Sequence, residues 1–189
     1  MGTIIEYKPD MKIVGVILSK NLRWVRNTQY ICDKARQKLW IIRRMLQYNL
    51  NIETMFDVYI KEVRSILELA VPVWHSGLTR RQSSDIERIQ KIAFKIILGV
   101  EYKNYDQACK MLSTQTLEDR RTKLCLKFAR KNLKSENSLF TELQHPMNTR
   151  WKANSVQEFK CRTERFKNSS LPYLARLLNQ DLKARKRRE

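Results

Sequence analysis

Apolar residues along this chain fall into two kinds of period. Lys12 to Leu18 reads KIVGVIL, a β-branched run with a glycine inside it, followed by the turn-like SKN. It predicts a strand with a close backbone approach or a bulge at Gly15. From Asn27 the period lengthens. Ile31, Ala35, Leu39, Ile42 and Leu46 recur at steps of three and four and so share one helical face, with Asn27 or Thr28 as the cap. Asn51 opens a second helix, with Ile52, Met55, Phe56, Tyr59, Ile60, Val63, Ile66 and Leu67 as its apolar side.

The run AVPVWHSG, Ala70 to Gly77, breaks that helix. Pro72 has no N–H to donate and is expected to kink or end it, and Gly77 then supplies a stop. A third helix starts where Thr79 and Gln82 have capping-box spacing. It turns Ile86, Ile89, Ala93, Ile96 and Ile97 inward and ends at Gly99. NYDQACKML is a short helix and TLEDRRTKLCLKFARKNL a longer one, with Leu124, Phe128 and Ala129 inward. Beyond about Ser135 the period fades into a loop or loosely held extension. A C-terminal helix then begins near Pro172 and ends in a basic cluster.

Composition supports this picture. Only 4 glycines and 4 prolines punctuate 189 residues, too few for the turns of a many-stranded sheet. The expected fold is mainly α, with a short N-terminal β-strand or hairpin and an irregular basic C-terminal extension. Charge adds the first functional hint: 38 Lys and Arg against 19 Asp and Glu leave a formal +19. A field of that size attracts polyanions, nucleic acid first among them.

Several chemistries are not supported. Cys32, Cys109, Cys125 and Cys161 form no C-x-x-C pair and have no histidine at finger spacing, so no metal site is expected. They read as reduced thiols of an intracellular protein. No apolar run approaches the roughly 18 residues of a membrane span, and MGTIIE has Glu6 where a myristoylation signal needs Ser or Thr. His75–Ser76 lacks the glycines and the strand-to-helix turn of a nucleophile elbow, and the other histidine, His145, lies in the irregular region. There is no Asp-Asp dipeptide for two-metal phosphoryl chemistry. The adjacent acids Glu118 and Asp119 sit at a predicted helix start, where the macrodipole favours them. No catalytic residue and no cofactor are expected.

The basic residues are better organised. Arg81, Arg88, Lys91 and Lys95 fall on one side of the third helix, opposite its isoleucines. Arg120, Lys123, Lys127, Lys131 and Lys134 repeat the arrangement on the longer helix. An ordinary solvated face would mix charge signs. Two nearly all-positive rails suit a phosphate backbone. Lys183, Arg185, Lys186, Arg187 and Arg188 make a nuclear-import-like tail.

KIVGVILSKNLRW, VRSILELAVPVWHSGL, DIERIQKIAFKIILG, TLEDRRTKLCLKFARK and CRTERFKNSSLPYLARLLN occur in this order. Together they resemble the C-terminal part of reverse transcriptases encoded by LINE-type (non-LTR) retrotransposons, over about Lys12 to Asn179. The resemblance implies that residues 1–26 are a remnant of the palm edge. It implies that 27–134 form a helical thumb-like bundle that packs along a template–primer duplex, and that 135–189 are a loop and basic helical tail. AVPVWHSG resembles the family's proline-kinked junction between thumb helices, with Val73 and Trp74 packing. Ile13 and Val14 stand where the family has an aromatic and a leucine, a departure from its primer-grip pattern. The family's catalytic aspartates belong upstream of the resembling region, so the resemblance implies a truncated element.

The resulting expectation is a non-catalytic remnant of an RNA-directed DNA polymerase. It binds RNA or RNA–DNA duplex with low sequence specificity, touches no membrane, and is intracellular with a nuclear address. The alternatives are a basic helical protein–protein interaction module, or a truncated product with no selected function.

Overall fold

The computed structural model describes residues 9–133 and 156–186. Of these, 72% are helical and 6% lie in strands, so the chain is mainly α with a short N-terminal hairpin. It divides into two compact units, Met1–Ala70 with Leu78–Glu118, and Val71–Gly77 with Asp119–Glu189.

In the first unit, strands β1 (Asp10–Ile13) and β2 (Val16–Ser19) pair antiparallel, with Asp10 opposite Ser19 and Ile13 opposite Val16. KIVGVIL is therefore not one bulged strand but a hairpin that folds back at Val14–Gly15. Both turn residues have positive φ, 45° and 85°, as the two-residue turn that matches strand twist requires. The close approach expected at Gly15 is present: a Cβ there would stand 2.8 Å from Leu69 Cδ2.

Helix α1 (Val25–Gln47) starts earlier than its periodicity suggests, after a left-handed Trp24 that gives no side-chain cap. Asn27 and Thr28 are thus not caps but buried residues of the first turns. Asn27 Oδ1 instead accepts from Ile17 N at 3.0 Å, tying the hairpin to the helix. Ile31, Ala35, Leu39 and Ile42 are buried as expected, whereas Leu46, in the last turn beyond the packed face, is 44% exposed.

Asn51 does cap α2 (Ile52–Val58), its Oδ1 accepting from Thr54 N at 2.8 Å. The helix then widens into a π-helical segment (Tyr59–Arg64) before α3 (Ser65–Leu67). The buried positions explain why. Met55, Tyr59, Val63 and Leu67 repeat every fourth residue, and such a stripe drifts around a helix of about 3.6 residues per turn. A turn with i→i+5 bonding holds more residues and brings the stripe back. Ile52, Phe56, Ile60 and Ile66 are only half-buried beside it.

Helix α4 (Val71–Trp74) and a 3₁₀ turn (His75–Gly77) belong to the second unit. The preceding helix has already stopped at Leu67, and Ala70 has φ 50°. Pro72 therefore opens a new helix rather than kinking an old one, in the first turn where a missing N–H costs nothing. Trp74 is fully buried as expected, but Val73 is 45% exposed.

Helix α5 (Arg80–Leu98) carries the full capping box: Thr79 Oγ1 accepts from Gln82 N, and Gln82 Oε1 accepts from Thr79 N at 2.7 Å. Its buried face is Ile86, Ile89, Ala93, Phe94, Ile97 and Leu98, with Gln90 among them. Ile96 lies at the edge of this face and is half-buried rather than inward. Tyr59 and Phe94 meet edge to face at 5.4 Å between centroids. Helix α6 (Tyr105–Met111), capped by Asn104, follows.

Helix α7 (Leu117–Leu133) begins in the first unit and continues into the second. Its fully buried positions are Leu117, Arg121, Cys125 and Ala129. Leu124 and Phe128, placed inward by periodicity, are only half-buried. The inner face is rotated toward small residues and one arginine. In the second unit α8 (Glu164–Lys167) leads to α9 (Ser170–Lys186), with Pro172 in its first turn. Arg130 reaches Asp181 through Nε and Nη2 at 3.1 and 2.5 Å. Asn179 clamps Val156 from both sides of its backbone, accepting from N at 3.2 Å and donating to O at 2.8 Å.

Candidate nucleic-acid interface

The basic side of α5 follows from how its other side is held. With Ile86, Ile89, Ile97 and Phe94 buried, the exposed positions are Arg80, Arg81, Ser84, Arg88, Lys91 and Lys95. Every one except Ser84 is a cation. Arg81, Arg88, Lys91 and Lys95 are the residues that periodicity selects, and Arg80 extends the row. The two arginines stand in a first turn with no acid, where the helix dipole disfavours positive charge.

Two of the lysines are positioned by aromatic rings that sequence reasoning missed. Lys91 Nζ lies 4.9 Å from the centroid of Tyr105, and Lys95 Nζ 5.5 Å from that of Tyr102. Exposed cation–π contacts of this kind contribute about 0.5–1 kcal/mol and leave the ammonium at the surface. Tyr105 is itself fixed. Its hydroxyl donates to Glu87 Oε1 and accepts from Gln90 Nε2 at 2.7 Å. Burial and the Glu87 carboxylate push its phenol far above the usual range, so it stays protonated and donating. Gln90 completes the network, accepting from Tyr59 Oη at 2.5 Å and donating to the Gln115 carbonyl at 3.0 Å. Glu87 also accepts from Leu117 N at 2.8 Å. The buried carboxylate therefore anchors the ring under Lys91.

On α7, Lys123, Lys127 and Lys131 are exposed at steps of four, while Arg120 is half-buried. Lys134 lies outside the described residues, as does His145. Arg120 and Arg121 are adjacent, yet only Arg121 is fully buried. Its Nε donates to His75 Nδ1 at 3.3 Å. His75 Nε2 lies 3.4 Å from Thr122 Oγ1, and its ring meets Tyr173 edge-on at 5.8 Å. Burial first, and the Arg121 charge second, hold His75 down at about 4. His75 is thus a neutral acceptor for a buried guanidinium. Neither of its ring nitrogens bonds the neighbouring Ser76, whose Oγ is buried.

In the C-terminal cluster Lys183 and Arg185 are exposed. Arg185 Nε is paired with Asp181 at 3.1 Å. Lys186 ends α9, and Arg187 and Arg188 lie outside the described residues.

The four cysteines are free thiols, with Cys32, Cys109 and Cys125 buried. Burial pushes Cys125 up to about 12. Among the described residues no group of three or more His, Cys, Asp or Glu side chains could hold a metal ion. No helix among them is long and apolar enough to cross a membrane. No protein-family model, curated protein or solved structure matches the chain.

Proposed function

We propose that this chain is a non-catalytic remnant of the thumb and tail of a non-LTR retrotransposon reverse transcriptase, and that it binds RNA or RNA–DNA duplex through backbone phosphates. The observation that carries the binding reading is the outer face of α5, where all exposed positions but Ser84 are cationic and two lysines rest on tyrosine rings. Contacts from such a face read charge and shape rather than base identity. The α7 lysines add a second cationic row in the other unit. The retrotransposon origin rests on the five sequence blocks.

A salt titration of binding to a short RNA–DNA hybrid tests the reading. Each phosphate neutralised releases counterions, so log affinity falls linearly with log salt, by about 0.9 per contact on B-form DNA. Lys91→Gln with Lys127→Gln should flatten the slope by roughly two contacts' worth and leave helical content intact. Wild-type slope and affinity in that variant would make both rows ordinary solvated faces. Primer extension that copurifies with the chain would overturn the non-catalytic part.

A further inference from the structure

We infer that a groove between α1 and the π-helical segment is a stacking site for an unpaired base of single-stranded nucleic acid. The inference rests on the nucleic-acid reading above for the sign of its ligand, but uses another surface and another contact chemistry.

The groove, of about 430 Å³, is lined by Lys34, Lys38 and Trp40 from α1, and by Lys61, Glu62 and Ile66 opposite. That volume lies within the range of about 300–1,000 Å³ that small-ligand sites occupy. Trp40 is 58% exposed, whereas Trp24 and Trp74 are at 8% and 0%. An indole left in water at the wall of a groove offers a flat apolar face that the fold does not use. The charges around it have one sign in excess. Glu62 is engaged by Lys38 at 2.8 Å, so Lys34 and Lys61 carry the balance. Lys34 also lies 5.4 Å from the Tyr30 ring, whose hydroxyl accepts from Lys12 Nζ at 2.8 Å. Beyond the groove a further cation, Lys12 of β1, thus stands at the same tyrosine.

An aromatic face flanked by cations that can meet successive phosphates is the arrangement that binds single strands with little sequence preference. The interior of a duplex cannot use it, because its bases are already stacked on one another. The π turn supplies the far wall, as Lys61 and Glu62 both belong to it; such turns recur at functional sites. An apolar partner helix suits the groove less well, because its rim is charged.

The test compares three ligands of equal length on the whole chain: a single-stranded oligothymidylate, the same strand with abasic sites throughout, and a blunt RNA–DNA hybrid. Wild type should prefer the base-bearing strand to the abasic one. Trp40→Ala should weaken oligothymidylate binding by roughly five- to 150-fold, the scale of one base–aromatic contact, and erase that preference. It should leave hybrid binding unchanged. Trp40→Phe should keep most of the preference, which separates stacking from any loss of folding. Equal affinity of wild type for the base-bearing and abasic strands would overturn the groove while leaving the hybrid reading intact. So would a Trp40→Ala variant that binds oligothymidylate like wild type, or polyglutamate displacing the strand as well as unlabelled oligothymidylate does. Failure to bind the hybrid, with stacking on Trp40 retained, would overturn the duplex reading alone.

Discussion

Arg121 Nε donates to His75 Nδ1 across 3.3 Å of space and 46 positions of sequence. Burial of His75, with the Arg121 charge second, makes stability depend on pH. The unfolded chain protonates His75 near 6.5, while the folded chain resists until about 4, so protons favour unfolding between these values. Above about 6.5 the contribution is complete. It falls by about 1.4 kcal/mol per pH unit below that, up to about 3 kcal/mol in all. His75→Gln keeps an acceptor but cannot titrate. Urea melts at pH 7 and pH 5 should show a shallower acid loss in the variant, and equal losses would rule out His75 as the titrating group.

The hairpin turn places a β-branched residue where asparagine belongs. Val14 has φ 45° and is 90% exposed, so it has little packing to lose. Val14→Asn creates the Asn-Gly pair favoured in this turn and should stabilise the chain by about 1 kcal/mol. Gly15→Ala should destabilise by a similar amount because its φ of 85° is strained for any Cβ. Leu69→Ala in the same chain should recover little of that loss, since the clashing Leu69 Cδ2 can move aside. Thermal melts of the single and double variants distinguish strain from clash.

Gln82 serves two partners at once. Its Oε1 caps Thr79 N, and its Nε2 donates to the Arg23 carbonyl at 2.9 Å. Thr79→Ala removes one cap and should cost about 0.5–2 kcal/mol. Gln82→Glu preserves the capping acceptor but brings a carboxylate against that carbonyl. It should therefore be less stable than wild type above the carboxyl's pKa and recover on acidification. Chemical denaturation across pH 3–7 relative to wild type reports the difference.

Burial separates two substitutions that periodicity treats alike. Ile89 is fully buried, and Ile89→Ala should cost about 2–5 kcal/mol. Phe128 is half-buried, so Phe128→Ala should cost clearly less. Melts that reverse this order would contradict the placement of the α7 inner face.

What the sequence revealed and what it concealed have a common cause. Thr79, Asn51 and, on α5, Ile86, Ile89 and Ile97 were legible because caps and helical period both show within one or two turns of sequence, though the same period misplaced Ile96. Arg121 was not. In EDRRTKL it has the same local surroundings as Arg120, and a histidine 46 positions away distinguishes them. Asn27 looks like a cap because an acceptor precedes an apolar run, yet its acceptor serves Ile17 N. Tyr102 and Tyr105 follow a helix without joining its period, and their role under Lys95 and Lys91 depends on the chain turning back. For the candidate interface, periodicity found Arg81, Arg88, Lys91 and Lys95 of α5 but neither Arg80 nor the rings that position the two lysines.

The π-helical segment between Tyr59 and Arg64 also bears on tolerance to changes in length. It absorbs one residue more than an α-helical path between the same two ends requires. Removing an exposed residue there, such as Lys61, converts the buried spacing of four, four and four into four, three and four, a rhythm an uninterrupted α-helix satisfies. A one-codon deletion at this place leaves Met55, Tyr59, Val63 and Leu67 facing the core. The same deletion in the middle of α5 turns half its inward face by about 100° into water. Neighbouring helices of one small protein thus differ sharply in the lengths they can accept, and a one-residue deletion is most readily accommodated where the winding is already wide.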